Sequence, residues 1–255
     1  MSPDASGKLL RGFLALAFWI AVWKLSAVLV GQELLVPAPG TVFLRLWQLM
    51  RTAVFWQTAG ASLGRVFLGF LGGVFLGTLL AALTAAFRVC DVLLSPAVRV
   101  VRATPVASFI VLLLLWMNST RGYVPAVMSG LMVMPILWGN VRKGIASRDG
   151  ELLEVAQTYG MGKFKTLRLV YLPAAQPHFV SGCITSLGLA WKAGVAAEVL
   201  CQPKLAVGTQ VYYSKIYLEP ASLFAWTIVV ILLSYLVESL LVRLLRQGLG
   251  EGAAA

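Results

Sequence analysis

The sequence predicts an all-α integral membrane protein with six transmembrane helices. Of its 255 residues, 59% are apolar and only 12% are charged, and the mean hydropathy is +0.85. A soluble domain is about half apolar and about a quarter charged, so this composition excludes a water-soluble globule and a disordered chain. The apolar residues also come in long blocks and not in the one-sided stripes of soluble helices.

A spanning helix needs roughly 20 mainly apolar residues, and six blocks meet that requirement. They lie at 12–30, 63–87, 95–117, 123–141, 177–200 and 222–244. The first block contains Trp19, Trp23 and Lys24 and lacks a small-x-small cleavage pattern. We therefore expect it to be retained as a helix and not removed as a signal peptide.

Two polar segments interrupt the spans and suggest a division of the chain. The segment 31–62 begins with two prolines and continues with apolar residues at helical spacing: Val42, Phe43, Leu46, Trp47, Leu49 and Met50. This pattern predicts an amphipathic helix on the outer membrane surface. We assign 1–62 to an N-terminal transmembrane helix with this outer segment, and 63–255 to a core domain that contains the polar loop 142–176.

The distribution of basic residues predicts the orientation, because Lys and Arg are enriched in cytoplasmic loops. With the N-terminus inside, thirteen basic residues lie on the inner face: Lys8, Arg11, Arg88, Arg99, Arg102, Arg142, Lys143, Arg148, Lys163, Lys165, Arg168, Arg243 and Arg246. Six lie on the outer face: Arg45, Arg51, Arg65, Arg121, Lys204 and Lys215. We expect both termini to be cytoplasmic, and this asymmetry explains most of the net charge of +11 without nucleic-acid binding.

Residue types that form catalytic and metal sites are scarce. Cys90, Cys183 and Cys201 show no C-x-x-C spacing, and His178 is the only histidine, so we expect neither a disulfide framework nor a metal site. The segment 160–163 contains a Gly-Lys pair, but Phe164 stands where a nucleotide-binding loop has the Ser or Thr that binds magnesium. We therefore expect no cofactor in this chain and no ATPase or other enzymatic activity.

The loop 142–176 has the features of a short capped helix. Asp149 can cap its start, Glu151 and Glu154 lie in its first turns, where carboxylates favour the positive end of the helix dipole, and Gly160 can adopt the positive φ that ends a helix. Four apolar residues recur at i, i+3, i+4 and i+7: Leu152, Val155, Ala156 and Tyr159. Such a ridge fits a groove in a partner protein, and the alternative is an interfacial helix that rests on lipid.

Pro173, which follows Leu172, is expected to end the next helix, because proline cannot donate to the helical hydrogen bonds.

The same loop resembles the EAA loop of permease subunits of ATP-binding-cassette importers. The pattern E-A-A-x3-G-x9-I-x-L-P corresponds here to Glu154-Val155-Ala156, Gly160 and Val170-Tyr171-Leu172-Pro173. Val155 and Val170 replace Ala and Ile, and both changes keep an apolar residue. Trp191-Lys192 and Ala196-Ala197-Glu198 in the fifth span resemble the nitrate, sulfonate and taurine branch of that family.

The resemblance implies a fold and a set of partners. The fold is a five-helix type I importer core plus one N-terminal helix, with a cytoplasmic coupling helix between the fourth and fifth spans. The partners are cytoplasmic ATPase subunits that bind ATP and Mg, a second permease subunit that makes a homodimer, and an extracytoplasmic substrate-binding protein, all at the cell membrane of a prokaryote. Residues that would couple to the ATPase are Leu152, Glu154, Val155, Ala156, Tyr159, Gly160, Leu172 and Pro173.

The implied activity is inward movement of a small solute, such as a sulfonate, taurine, nitrate or a related organic molecule, by alternating access. Charged residues within spans are costly and are therefore functional candidates. Our candidates for the translocation path are Glu198, Lys192 and Asn118, although the two charges could also lie at headgroup level and Asn118 could be a turn residue.

Two other classes of protein compete with the importer. An ion-coupled secondary transporter or a channel would use intramembrane acids, of which only Glu198 and Glu238 qualify, and it would leave the EAA-type loop unexplained. An integral membrane enzyme would need clustered His, Asp or Cys at one membrane face, which a single histidine does not supply.

The orientation can be tested with Arg148→Cys in a background that lacks the three native cysteines. We expect an impermeant thiol reagent added to intact cells or spheroplasts to leave this cysteine unmodified, because the 142–176 loop lies in the cytoplasm. Mass spectrometry of the purified protein measures the modification. Labelling of this cysteine in intact cells would contradict the orientation, and labelling after permeabilisation is the control.

Overall fold

The computed structural model describes residues 3–117 and 122–248, and within these ranges the chain is helical without a β-strand. The helices are α1 (Pro3–Val30), α2 (Pro39–Met50), α3 (Ala53–Ala86), α4 (Arg88–Ala103), α5 (Val106–Trp116), α6 (Tyr123–Ala146), α7 (Gly150–Thr158), α8 (Lys163–Thr166), α9 (Leu172–Cys201), α10 (Val207–Ile216) and α11 (Pro220–Gly248). A π-helical turn, Leu167–Tyr171, joins α8 to α9.

In the described part of the chain, five helical segments are long and apolar enough to cross a bilayer. They are Arg11–Val30, Ala53–Ala86, Tyr123–Ala146, Lys163–Cys201 and Pro220–Leu245. A sixth candidate is the pair formed by α4 and α5, whose axes are bent by 106°. The all-helical membrane architecture is therefore confirmed, with six candidates if the bent pair counts as one span.

The predicted spanning block 95–117 is not one continuous helix, because it is divided between α4 and α5. The bend lies at Thr104 and Pro105, whose ψ angles of 132° and 137° are extended and not helical. Proline fixes its own φ, and its ring forces the preceding residue out of the helical region, so the chain turns sharply here.

The amphipathic helix expected within 31–62 is α2. Val42 and Leu46 are buried on one side, whereas Phe43 and Trp47 are exposed on the other. Residues 53–62 belong instead to α3, which starts ten residues before the predicted second span. Thr52 sets this start, because its hydroxyl oxygen accepts a hydrogen bond from the Phe55 amide at 3.3 Å.

The helix α1 lies at the edge of the molecule. Between Arg11 and Val30, none of its apolar stretch is buried. Trp23 connects it to the other helices: its ring stacks on Phe224 of α11 at 5.7 Å and lies 6.3 Å from the ring of Phe43 in α2.

The centre of the molecule is formed by α3, α6 and α9, and three glycines bring α3 against α6. Gly69, Gly73 and Gly77 recur every four residues, and a Cβ atom on them would lie 2.0, 2.6 and 2.6 Å from carbonyl oxygens of α6. Those oxygens belong to Ala126, Gly130 and Met134, respectively. Small residues permit such contact between membrane helices, where close packing supplies the attraction.

A serine on α6 fixes the position of α9. The Ser129 hydroxyl lies 2.9 Å from the carbonyl oxygen of Pro125 and 3.0 Å from that of Ala190 in α9. A Cβ atom on Gly194 would lie 2.6 Å from the same hydroxyl oxygen. This buried hydrogen-bonding group therefore requires both a glycine opposite it and a carbonyl oxygen from the neighbouring helix.

The expectation that Leu172 and Pro173 end a helix is wrong, because residues 163–201 form one continuous helical segment. Pro173 has no amide hydrogen, so an α-helix would leave the carbonyl four residues earlier without its donor. The π-helical turn just before it changes the pairing, and the Leu172 amide donates to the carbonyl oxygen of Leu167, five residues earlier. Local widening of this kind is how long membrane helices tolerate proline.

The contact between α3 and α6 predicts that Gly69→Ala destabilises the protein, whereas Gly72→Ala does not. The methyl group on residue 69 would overlap the Ala126 carbonyl, and overpacking of this kind costs about 1–3 kcal/mol. A methyl group on residue 72 meets no atom within 4 Å, and alanine is the better helix former. Thermal unfolding of both variants in detergent measures the difference, and equal midpoints would contradict the close contact.

Candidate functional site

The helix α7 of the 142–176 loop begins at a side-chain cap. Asp149 Oδ1 accepts a hydrogen bond from the Glu151 amide at 2.9 Å, and Glu151 lies in the first turn. The cap satisfies one of the free amide groups at the start of the helix. The carboxylates of Asp149 and Glu151 lie at the positive end of the helix dipole. The start of α7 thus matches the sequence prediction.

The end of α7 is set by Gly160, whose φ of +63° is in the left-handed region. The Gly160 amide donates to the carbonyl oxygen of Gln157 at 3.0 Å, and the Met161 amide donates to that of Ala156 at 2.8 Å. This pair of bonds is the Schellman motif, which closes the last turn of a helix and needs a residue at positive φ. The chain therefore leaves α7 in a fixed direction toward α8.

The surface of α7 presents three of the four predicted ridge residues. Leu152, Val155 and Tyr159 are 51%, 46% and 78% exposed, whereas Ala156 is buried at 2%. Ala156 therefore does not belong to the exposed ridge, because its small side chain faces the protein along with half-buried Leu153. Sequence reasoning missed Phe164 of α8, which is 78% exposed in the same loop and adds to the apolar surface.

The other motif residues of the loop lie at its return to the bundle. Val170 is buried, whereas Glu154, Leu172 and Pro173 are exposed. The guanidinium of Arg148, before α7, lies 5.5 Å from the ring centre of Tyr171. This contact holds the two ends of the loop together, between the C-terminal end of α6 and the start of α9.

A second site lies where α3, α9 and α10 meet. The side chain of Glu198 has no exposed surface, and its oxygens accept four hydrogen bonds. Oε1 accepts from Nε and Nη2 of Arg65 at 3.1 and 2.9 Å, and Oε2 accepts from the Ser62 hydroxyl at 2.8 Å and the Gly208 amide at 3.1 Å. The carboxylate is thus fully paired inside the protein.

The same network caps α10. Ala206, at the N-cap, has no side chain to pair with the free amides, so Glu198 accepts from Gly208 and the Ser62 oxygen accepts from the Val207 amide at 2.9 Å. Arg65 Nη2 also donates to the Leu205 carbonyl oxygen at 2.7 Å. Sequence analysis counted Arg65 only as an outer basic residue, and nothing in its spacing from residue 198 indicated the pair.

The two path candidates that the structure describes do not lie together. Glu198 is enclosed by protein, which favours a structural role, whereas Lys192 lies on an exposed face of α9. Asn118 lies outside the described residues. Among the described residues, no group of three or more His, Cys, Asp or Glu side chains could hold a metal ion.

Residues 73–250 match the family described as "binding-protein-dependent transport system inner membrane component". The chain belongs to this family. It is therefore a multi-pass permease of the inner membrane, and its relatives are transport permease subunits and not enzymes.

Relatives named for sulfonate, taurine and nitrate transport place the permease in the sulfonate, nitrate and taurine branch of ATP-binding-cassette permeases. SsuC of Bacillus subtilis, named for aliphatic sulfonate transport, is 27% identical over 94% of this chain and 86% of its own length. The riboflavin permease RibX of Chloroflexus aurantiacus is 28% identical over 90% and 87%. The taurine permease TauC of Escherichia coli is 24% identical over 88% and 82%.

A solved structure supports the fold of the permease. The amino acid ABC transporter crystallised with histidines superposes with a TM-score of 0.61 over 78% of this chain and 94% of its own, at 20% sequence identity. At this level of identity the likeness concerns the fold alone.

The buried pair predicts that Glu198→Gln destabilises the permease far more than Glu219→Gln. Removing one partner of a buried ion pair costs about 3–5 kcal/mol, since the guanidinium of Arg65 keeps its charge without its counter-ion. Glu219 forms an exposed pair with Arg45 at 3.4 Å, with side chains 52% and 40% exposed, and such pairs contribute about 0–1 kcal/mol. Thermal unfolding midpoints of the purified variants measure both effects.

Transport per assembled complex separates a structural carboxylate from a gate. We expect Glu198→Gln to lower the yield of complex but to leave the turnover of the complexes that form unchanged. A lower turnover at normal yield would instead assign Glu198 to the translocation path.

Proposed function

We propose that this permease is the transmembrane subunit of an ATP-driven importer that moves a small solute inward by alternating access. The observation that carries the proposal is α7, a short helix capped at Asp149 and closed at Gly160. Its exposed surface carries the apolar side chains of Leu152, Val155 and Tyr159. An apolar ridge on a fixed helix is the form in which one protein inserts into a groove of another. The partner proposed for this ridge is a cytoplasmic ATPase subunit.

Hydrolysis of ATP, with its Mg, is assigned to that partner. The transporter would contain two ATPase subunits, two copies of this permease and an extracytoplasmic substrate-binding protein, with both permease termini in the cytoplasm. Closure of the ATPase subunits would pull the two α7 helices together and rock the bundles outward, and their separation would reopen the path inward. The proposed division of the chain is an N-terminal helix with the α2 segment, 1–62, and a core, 63–255.

An ion-coupled secondary transporter is less well supported. Such a protein needs an intramembrane carboxylate that can bind and release the coupling ion. The oxygens of Glu198 already accept hydrogen bonds from Arg65, Ser62 and the Gly208 amide, so this carboxylate is not free to do so. The comparisons with known proteins add nothing in favour of this alternative. Among solutes, the named relatives suggest a sulfonate, taurine, nitrate or related organic molecule for this permease.

The positive φ at residue 160 offers a test with a matched control. We expect Gly160→Val to abolish at least nine-tenths of ATP-dependent uptake, because a β-branched residue resists the left-handed conformation that closes α7. Gly162→Val, two residues away, should transport normally, because residue 162 is extended at φ −62° and a Cβ there meets no atom within 4 Å.

The measurement uses the permease co-expressed with its cognate ATPase and reconstituted with the binding protein. Substrate-stimulated ATP hydrolysis and uptake are compared at equal permease content in the membrane. Normal substrate-stimulated ATP hydrolysis in Gly160→Val would contradict the assignment of α7 as the coupling helix. An equal loss of uptake in both variants would indicate a general folding defect of the loop.

A further inference from the structure

One exposed face of α9 carries three polar side chains although no other described helix covers it. The exposed positions from its middle to its outer end recur every three or four residues, so they form a single stripe: Ser181, Thr185, Leu189, Lys192, Ala196 and Leu200. The opposite face holds buried Leu187, Trp191 and Glu198. Two hydroxyls and an ammonium group on one stripe are not what a lipid-facing surface of a membrane helix presents.

Lys192 lies within a candidate membrane span and not at its ends. Its Cα is nine residues before the last residue of α9, about 14 Å along the axis, and twenty residues, about 30 Å, after Leu172. Because α9 is longer than the hydrocarbon layer, about 30 Å, the depth follows from a neighbouring helix. Trp191, the residue before Lys192, donates to the carbonyl oxygen of Val230, which lies ten residues, about 15 Å, into the 26-residue candidate span Pro220–Leu245. Lysines that snorkel to the interface lie near helix ends, so this residue needs water or a negative charge nearby.

No counter-ion for Lys192 is present among the described residues. Glu198 is 120° away around the helix and is neutralised by Arg65 at 2.9 Å. Glu238 of α11 lies about 12 Å further in than Val230, whose carbonyl oxygen accepts from Trp191 Nε1 next to Lys192. Lys192 donates no hydrogen bond and forms no ion pair with any residue in 3–117 or 122–248.

We infer that Lys192 makes this face of α9 an anion-attracting section of the translocation path, and that the solute carried has an anionic group, such as a sulfonate or carboxylate. The inference rests on the importer function proposed above. An uncompensated cation beside water attracts anions and repels cations, as rings of Lys or Arg do in anion pores. The hydroxyls of Thr185 and Ser181, further in on the same stripe, can donate to the oxygens of the anion.

The test measures the electrostatic potential at this face without needing the natural solute. Thr185→Cys is introduced into the full-length permease lacking its native cysteines, assembled with its ATPase in nanodiscs. Two methanethiosulfonates of similar size are applied separately, one ending in a sulfonate and the other in a trimethylammonium group. The measurement is the rate at which each reagent modifies the cysteine at 185. We expect the ratio of the rate for the sulfonate reagent to the rate for the ammonium reagent to fall at least three-fold when Lys192→Gln is added. With Lys192→Arg, which keeps the positive charge, the ratio should stay unchanged.

Two outcomes would overturn the inference. Failure of the cysteine at 185 to react with either reagent, as expected for Leu232→Cys on the exposed apolar face of α11, would show that lipid or protein covers the stripe. A ratio that Lys192→Gln leaves unchanged would show that Lys192 is neutralised, for example by a carboxylate of a second permease copy. Neither result depends on ATP, so the importer proposal is tested separately by Gly160→Val.

Discussion

The burial of one carboxylate constrains the arrangement of α3, α9 and α10. An ionised group without solvent contact is tolerated only when its oxygens are hydrogen-bonded and its charge is matched. For Glu198 the matching groups come from separate segments: Ser62 and Arg65 from α3, and the Gly208 amide from the start of α10. Satisfying the carboxylate therefore places all three segments at once. Lipid provides little hydrophobic force between helices, so close packing and hydrogen bonds such as these supply the attraction.

The contacts of α6 with α3 and α9 depend on a different constraint, which is backbone contact without side chains. Gly69, Gly73 and Gly77 place α3 directly on α6, and a Cβ atom on Gly144, near the C-terminal end of α6, would lie 2.7 Å from the Cα atom of Ala175 in α9. Helices in such contact have few alternative arrangements and move as a unit. Because α7 is connected to α6 on one side and to the long 163–201 segment on the other, a displacement of α7 is passed to this whole unit.

The sequence predicts the features whose cause is local. The cap at Asp149, the left-handed Gly160 and the apolar face of α2 follow from residue type and spacing within a few positions, and the structure has all three. The features that sequence reasoning missed depend on contacts across the fold. The partner of Glu198 is 133 residues away along the chain, and the burial of Ala156 depends on what packs against one side of α7. Proline had opposite effects at two sites, a sharp bend at Pro105 and a widened but continuous helix at Pro173.

The edge position of α1 bears on how this architecture can vary. An element with no buried residue between Arg11 and Val30, whose Trp23 lies against α2 and α11, contributes little to the packing of the helices beyond it. Its apolar sides are satisfied by lipid whether or not neighbours are present, so gaining or losing such an element changes the free energy of the remaining bundle only slightly. Helices can thus be added at the N-terminus with little change in the stability of this architecture. A helix inserted between α3 and α6 would instead separate backbones that are in direct contact.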